Sequence, residues 1–501
     1  MNNFLKPGRS IDRSWLPIAA LLGVVTFFLY QNALNGYWRF DDPMMLAFAI
    51  RKSIWGMFFI PDLEQQVRAP FFTPMLTLSY RLDINAFGLN PNYFYMHQLV
   101  SLWLCSFLTF RLLTYFTKPF WALFGGVMFL AGYPSNIVVQ QLMSRHYLEG
   151  LIFSILSLIF FLPSDRGNKK NIVSALCYLL ASLEKEIFLP LPLVLLFLSK
   201  QKGKNLTAAI NEISPHLAMS LAYIPWRIYM LGGVGGYVSN SHHFSYIFTF
   251  IADTMYWFYP NNPMGLALFL ASIFLAFIGL KGKWISRPIV AVAVLAIVLP
   301  LLPIMITKPF PDFGTGYFVP YRYVFLPWWS SCIAMAVLLE KFEIRLPLPV
   351  EPIWNHHEQS NSSKTASSAV EAWADGPKKS CEIRHQFGLK RISFLLIVFA
   401  CLMVLLYQPQ KNSCFQNLVA ENENLYRTAW HTAREEQYAF PDDNIIAYLN
   451  YMISRINIVR GISEGSGLKL SPVAIEDGKK RLPSFPWHYD MDACSLRMTS
   501  W

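Results

Sequence analysis

Charge is what this sequence has least of. Only 15% of its 501 residues are Asp, Glu, Lys or Arg, against about 25% in an ordinary soluble domain. Acidic residues are the scarcer sign, 31 against 42 basic ones, which leaves a net charge of +11. Length alone would suggest two or three soluble domains; the charge deficit and a 54% hydrophobic composition point instead to a polytopic membrane protein. In such a chain Lys and Arg collect in cytoplasmic loops, so the basic excess calls for no nucleic acid. Paired metal-binding cysteines are also missing. The seven cysteines include no CxxC pair and no Cys/His cluster with zinc spacing, which argues against a structural zinc site. Four of them, Cys105, Cys177, Cys332 and Cys401, lie in apolar runs and read as small core residues. No internal repeat stands out.

What the chain has in their place is long apolar runs. A helix crossing about 30 Å of hydrocarbon needs roughly 20 residues. Candidate spans fall at 15–34, 93–114, 119–137, 147–163, 171–183, 186–199, 207–231, 263–280, 288–307, 323–340 and 392–408. The first is long for a signal peptide and lacks a small-residue cleavage site, so it reads as a retained span. Lys6, Arg9 and Arg13 place the N-terminus in the cytoplasm. The basic stretches 166–170, 199–204 and 281–287 then also fall inside, provided 244–260 is a shallow helix on the outer face.

The expected fold is an all-α polytopic bundle of about eleven transmembrane helices. Its first external loop carries interfacial helices such as "SIWGMFFI". Residues 1–343 form the main transmembrane domain, 344–390 a Ser-rich flexible cytoplasmic linker, 391–408 the last span and 409–501 a small external region. Cys414 and Cys494 share that external region, where a disulfide is open to them. The absence of eukaryotic retention signals points to a bacterial inner membrane.

The polar residues gather on one face. Loop 35–92 holds Asp41 and Asp42 in "YWRFDDP", and later external turns hold Arg145, His146 and Glu149, then Glu184, Lys185 and Glu186, then Arg322. Charges beside apolar spans are costly and persist where they face a cavity or a partner. Each also has a plainer reading. The aspartates suit a helix cap, Arg145 and His146 suit interfacial snorkelling, Lys185 suits a local ion pair, and Arg322 a cation–π anchor. His242 and His243 have no evident third ligand, and the two N-x-[ST] sites, at 205 and 361, face the cytoplasm.

In order along the chain, "YWRFDDP", "RAPFFTPMLTLSYRLDINAFGLNPNYFYMHQLVSLWL", "QQLMSRHYLEG", "ASLEKEIFLPLPLVLL" and "YRYVFLPWW" resemble the polytopic C superfamily of glycosyltransferases. Its members include protein O-mannosyltransferases and aminoarabinose transferases, which use polyprenyl-phosphate sugars. The resemblance covers about residues 10–340; the tetratricopeptide repeats of some relatives are absent. It implies transfer of a sugar from a polyprenyl-phosphate donor to a hydroxyl on a protein, glycolipid or cell-envelope acceptor, with inversion.

A phosphate leaves readily as an anion, so one carboxylate base and a set of cations suffice. By family position Asp41 or Asp42 is the base or orients the acceptor, and its neighbour is the candidate holder of a divalent ion, magnesium or manganese. Arg145, Lys185 and Arg322 would bind the donor phosphate, with His146 and Glu186 orienting them. A surface-polysaccharide polymerase, a transporter or flippase, and an inactive membrane scaffold are the competing readings.

Overall fold

A computed structural model describes residues 15–38, 42–61, 72–163, 168–233, 325–345, 487–490 and 495–498, together with 277, 280, 281 and 322. Asp41, the His242–His243 pair, the linker, Cys414, Cys494 and the runs at 288–307 and 392–408 lie outside them. So does most of the run at 263–280.

The chain enters through α1 (Leu16–Tyr30), started by Pro17 in its first turn, and passes into a 3₁₀ segment, Gln31–Asn35. The first loop folds into α2 (Asp42–Arg51), α3 (Ile54–Phe59) and α4 (Pro74–Phe87). Ser53 caps α3 by accepting from Gly56 N at 3.0 Å. Its apolar side chains Ile54, Trp55, Phe59 and Ile60 are exposed, the pattern expected of an interfacial helix. Arg81 of α4 donates Nη1 to the carbonyls of Ala49 (3.1 Å) and Ile50 (3.2 Å), satisfying the open C-terminal end of α2. Trp226 Nε1 donates to Phe58 O at 2.7 Å and so ties α3 to a later helix.

The next elements are α5 (Pro91–Leu113), α6 (Pro119–Ala131), α7 (Tyr133–Gln140), a 3₁₀ turn at Leu142–Ser144, and α8 (Arg145–Phe161). They are followed by α9 (Asn168–Glu184), a 3₁₀ turn at Glu186–Phe188, α10 (Leu191–Gln201), α11 (Leu206–Leu231) and α12 (Phe325–Arg345). Three stretches, Leu16–Asn35, Pro91–Leu113 and Leu142–Phe161, are long and apolar enough to cross a membrane, and the chain is a membrane protein on that ground. The described helical body contains no strand. A short antiparallel hairpin, β1 (Trp487–Asp490) with β2 (Ser495–Met498), lies far downstream and sets Trp487 opposite Met498.

The expected span at 119–137 is not one straight helix. It breaks at Gly132 and bends by 56° between Pro119–Ala131 and Pro134–Gln140. Pro134 lacks an N–H and disfavours helical backbone in the residue before it. Gly132 permits the Trp328 indole to close on the break, where any Cβ would collide with it, and Trp328 Nε1 donates to Phe129 O at 3.1 Å.

The main core joins α1, α5, α6, α8 and α12 through Leu22, Leu102, Phe110, Phe129, Leu148, Leu151, Phe325 and Leu339. Several hydroxyls in these helices are satisfied locally or across an interface. Thr26 and Thr109 donate to the carbonyls four residues back, Ser106 donates to Gly126 O at 3.1 Å, and Trp329 Nε1 donates to Thr109 Oγ1 at 2.8 Å. A second core of Trp38, Leu46, Leu76, Tyr80, Phe94 and Leu142 seats the first loop on α5 and on the 142–144 turn. That seating brings residue 42 next to residue 143.

Candidate functional site

The site is built where α7 stops. Gln141 is extended, the 3₁₀ turn reverses the chain, and α8 restarts at Arg145. The backbone N–H of Met143 therefore points away from any helix and donates to Asp42 Oδ1 at 2.9 Å. Tyr80 OH donates to the same oxygen at 3.2 Å. Asp42 sits in the first turn of α2, where a carboxylate also complements the helix dipole, and it is fully buried. Burial, followed by the charge of Asp42, pushes the Tyr80 phenol well above its usual range, so it stays a neutral donor.

Arg322 reaches the same turn from far downstream, with Nη1 3.5 Å from Met143 Sδ. His146, one residue into α8, is buried, and its Nδ1 meets no hydrogen-bond partner among the described residues. Lys185 is extended between α9 and the following 3₁₀ turn and is buried in protein. Its Nζ lies 3.8 Å from Glu186 Oε1, and Glu186 Oε2 lies 3.4 Å from Arg227 Nη1. Gly150 of α8 allows this turn its close approach, because a Cβ there would strike the ring of Phe188. Asp42, His146 and Arg322 thus meet at the turn leading into α8, and the turn that follows Lys185 packs on α8 at Gly150, four separate stretches of sequence in all.

Arg145 faces a different way. It is fully buried, and four of its N–H groups meet protein acceptors. Nε donates to Gln98 Oε1 (3.3 Å), Nη1 to Ser79 Oγ (3.2 Å) and Asp83 Oδ2 (2.5 Å), and Nη2 to Phe94 O (3.0 Å). Its guanidinium lies over the Tyr80 ring, 4.9 Å from the centroid. Beyond Asp83 the network continues. His97 Nδ1 lies 2.9 Å from Asp83 Oδ1, His97 Nε2 lies 3.2 Å from Glu149 Oε1, and Ser79 Oγ donates to Glu149 Oε1 at 2.7 Å. Burial alone would raise the Asp83 carboxyl, but the His97 hydrogen bond and the Arg145 charge outweigh it and hold Asp83 below the usual range.

Three participants were not singled out from sequence. Arg227 is a lone cation inside the apolar stretch "AYIPWRIYML", the kind of residue that the cost of charge in such a helix flags on its own. Tyr80 and the backbone of Met143 carry no comparable signal, because any aromatic residue or peptide group would read the same. Among the described residues no group of three His, Cys, Asp or Glu side chains is set to hold a metal ion. Asp42 Oδ1 is taken up by Tyr80 and Met143. Asp41, the other member of the candidate pair, lies outside the described residues, and no step below is routed through a divalent ion.

Comparison with protein-family models, with curated proteins and with solved structures finds no match.

Proposed function

We propose that the protein is a multi-pass membrane glycosyltransferase that moves a sugar from a polyprenyl-phosphate donor to an acceptor hydroxyl, inverting the anomeric centre. The observation that carries this reading is the meeting of one carboxylate, Asp42, and one cation, Arg322, on Met143, with Lys185 buried beside the turn that packs on α8 at Gly150. A leaving phosphate needs cations beside it, and an attacking hydroxyl needs a carboxylate to accept its proton. Arg322 and the buried carboxylate Asp42 flank the start of α8, and Asp41 is the adjoining carboxylate in the sequence.

Asp42 is held by Tyr80 and Met143 and acts as the anchored, orienting carboxylate, which leaves the base to its neighbour Asp41. Arg322 and Lys185 take the donor phosphate. Glu186, shared between Lys185 and Arg227, fixes the position of Lys185. Arg145 is spent on protein partners and serves as the post on which α4, α5 and α8 are assembled. The proposed chain has eleven spans, a cytoplasmic N-terminus and its site on the periplasmic side of a bacterial inner membrane. The exposed apolar side of α3 lies in the outer leaflet.

The test is mass spectrometry of glycolipids and envelope glycoproteins from cells with and without the chain. Loss of one sugar-bearing species, restored by wild type but not by Asp41→Asn, supports the transferase and names its acceptor. An unchanged inventory with folded protein present moves the reading to a transporter or scaffold. The bent pair α6–α7 is the feature that favours a transporter.

A further inference from the structure

Among the described charged groups around Arg145, His97 is the one most open to solvent. Its side chain is 33% exposed, against 13% for Glu149, 5% for Asp83 and 0% for Arg145. Neither ring nitrogen is spare. Nδ1 lies 2.9 Å from Asp83 Oδ1 and 3.1 Å from Oδ2, and Nε2 lies 3.2 Å from Glu149 Oε1. His97 thus bridges α5 to α4 through Asp83 and to α8 through Glu149.

A neutral imidazole carries one N–H and one lone pair. Whichever nitrogen held that lone pair would turn it against a carboxylate oxygen. The doubly protonated ring donates on both sides, so the two contacts together select the imidazolium. The charged groups that face it are Asp83 from α4 and Glu149 and Arg145 from α8. The two carboxylates outnumber the one guanidinium, and the imidazolium supplies the second cation. The bridge reaches residue 42. Asp83 Oδ2 accepts from Arg145 Nη1 at 2.5 Å, the Arg145 guanidinium lies over Tyr80, and Tyr80 OH donates to Asp42 Oδ1 at 3.2 Å. Tyr80 and Asp83 also stand three residues apart on α4, on one side of the helix.

We propose that His97 is a positioning residue for Asp42: as an imidazolium it clamps α4 and α8 to α5, and the proton it exchanges with solvent sets how firmly Tyr80 and Met143 hold the Asp42 carboxylate. Giving that proton up to water opens the bridge on one side, because a ring with one N–H serves one carboxylate. Either α4 comes free of α5 at Asp83, or α5 comes free of α8 at Glu149. Tyr80 then holds Asp42 less firmly. The clamp is in place while the ring is charged and is lost as pH rises through the His97 titration. It stands whether or not the chain transfers sugar, and no transfer assay enters its test.

The test joins nitrogen-15 NMR of the full chain in lipid bilayers, with labelled histidine, to hydrogen exchange at the Met143 amide, the second donor to Asp42. At neutral pH wild type shows a ring with both nitrogens protonated that His97→Gln lacks. A His97 ring with one unprotonated nitrogen at that pH overturns the clamp. His97→Gln, which is neutral, speeds Met143 exchange several-fold, and His97→Lys, which returns a cation, restores the slow rate. The Leu162 amide, bonded to Leu158 O at the far end of α8, keeps its rate in all three proteins. Corrected for base catalysis, wild-type protection at Met143 falls as pH rises through the His97 titration, and that of His97→Lys does not. Wild-type exchange in His97→Gln, or no rescue by the lysine, overturns the positioning role. So does an equal rise at Leu162, since His97 would then only stabilise the fold.

Discussion

Arg145 Nη1 lies 2.5 Å from Asp83 Oδ2, joining residues 62 positions apart in the chain with both side chains almost wholly out of solvent. Removing one partner of such a pair leaves a buried charge uncompensated, at a cost of about 3–5 kcal/mol. Asp83→Asn and Arg145→Met are each expected to lower the thermal midpoint in detergent sharply. Arg145→Lys falls short of wild type as well, since an ammonium cannot span Gln98, Ser79, Asp83 and Phe94 together. The double variant Asp83→Leu with Arg145→Met should recover part of the loss, because no lone charge remains. Thermal unfolding of the four purified variants decides it; a double variant as weak as the sum of the singles would contradict the pairing.

Asp83 also sets an acid limit. Its folded carboxyl sits below the usual range, held there by His97 and Arg145 against the opposing effect of burial. A group depressed in this way contributes stability at pH values above its unfolded value, about 3.9. That contribution is lost as pH falls through the folded value. The thermal midpoint should therefore decline below about pH 4 more steeply in wild type than in Asp83→Asn, which has no carboxyl to protonate. Parallel midpoint-against-pH curves for the two proteins would show that Asp83 is not the group being titrated.

The two adjacent aspartates should separate by experiment. Asp42 is buried beneath Tyr80 and the Met143 N–H, so Asp42→Ala leaves those donors unpaired, at about 1–3 kcal/mol. It is expected to reduce stability and activity together. Asp41→Asn, in the proposed base, should abolish transfer. The reverse pattern, a stable and inactive Asp42→Ala beside an active Asp41→Asn, would exchange the two roles.

The parts of this arrangement that sequence makes visible are those where an expensive residue stands in a cheap background. Asp42, His146, Lys185, Glu186 and Arg322 stand out because charged or titratable groups flank apolar runs, and the fold brings Asp42, His146 and Arg322 to one turn. The helices at 16–35, 91–113 and 142–161 are visible for the complementary reason, their unbroken apolar length. Pairings over long separations are not visible. Nothing local says that Arg145 turns toward Asp83 and Ser79, or that Glu186 meets Arg227 rather than Lys185 alone. Arg145 read as a phosphate ligand because its type fits that chemistry, and only packing reveals that its donors are spent. The bend at Gly132 is hidden from hydropathy, which runs on across it; Pro134 is its one local signal.

The two remaining cations divide the proposed donor binding between them. Arg322 approaches the site past Met143, and Lys185 is braced by Glu186, which Arg227 holds from its other oxygen. If both stabilise charge on the departing phosphate, each removal should slow transfer by about 10²–10³-fold, the loss typical of one preorganised donor at a developing anion. Arg322→Met and Lys185→Met are therefore expected to lower kcat while the acceptor KM stays unchanged. Arg227→Met, which frees Glu186 to swing, should act through Lys185, and its effect should vanish in a Lys185→Met background. Steady-state rates with a synthetic prenyl-phosphate sugar and the acceptor identified by mass spectrometry provide the measurement. An Arg227 effect that persists after Lys185 is gone would mean that Arg227 itself meets the donor.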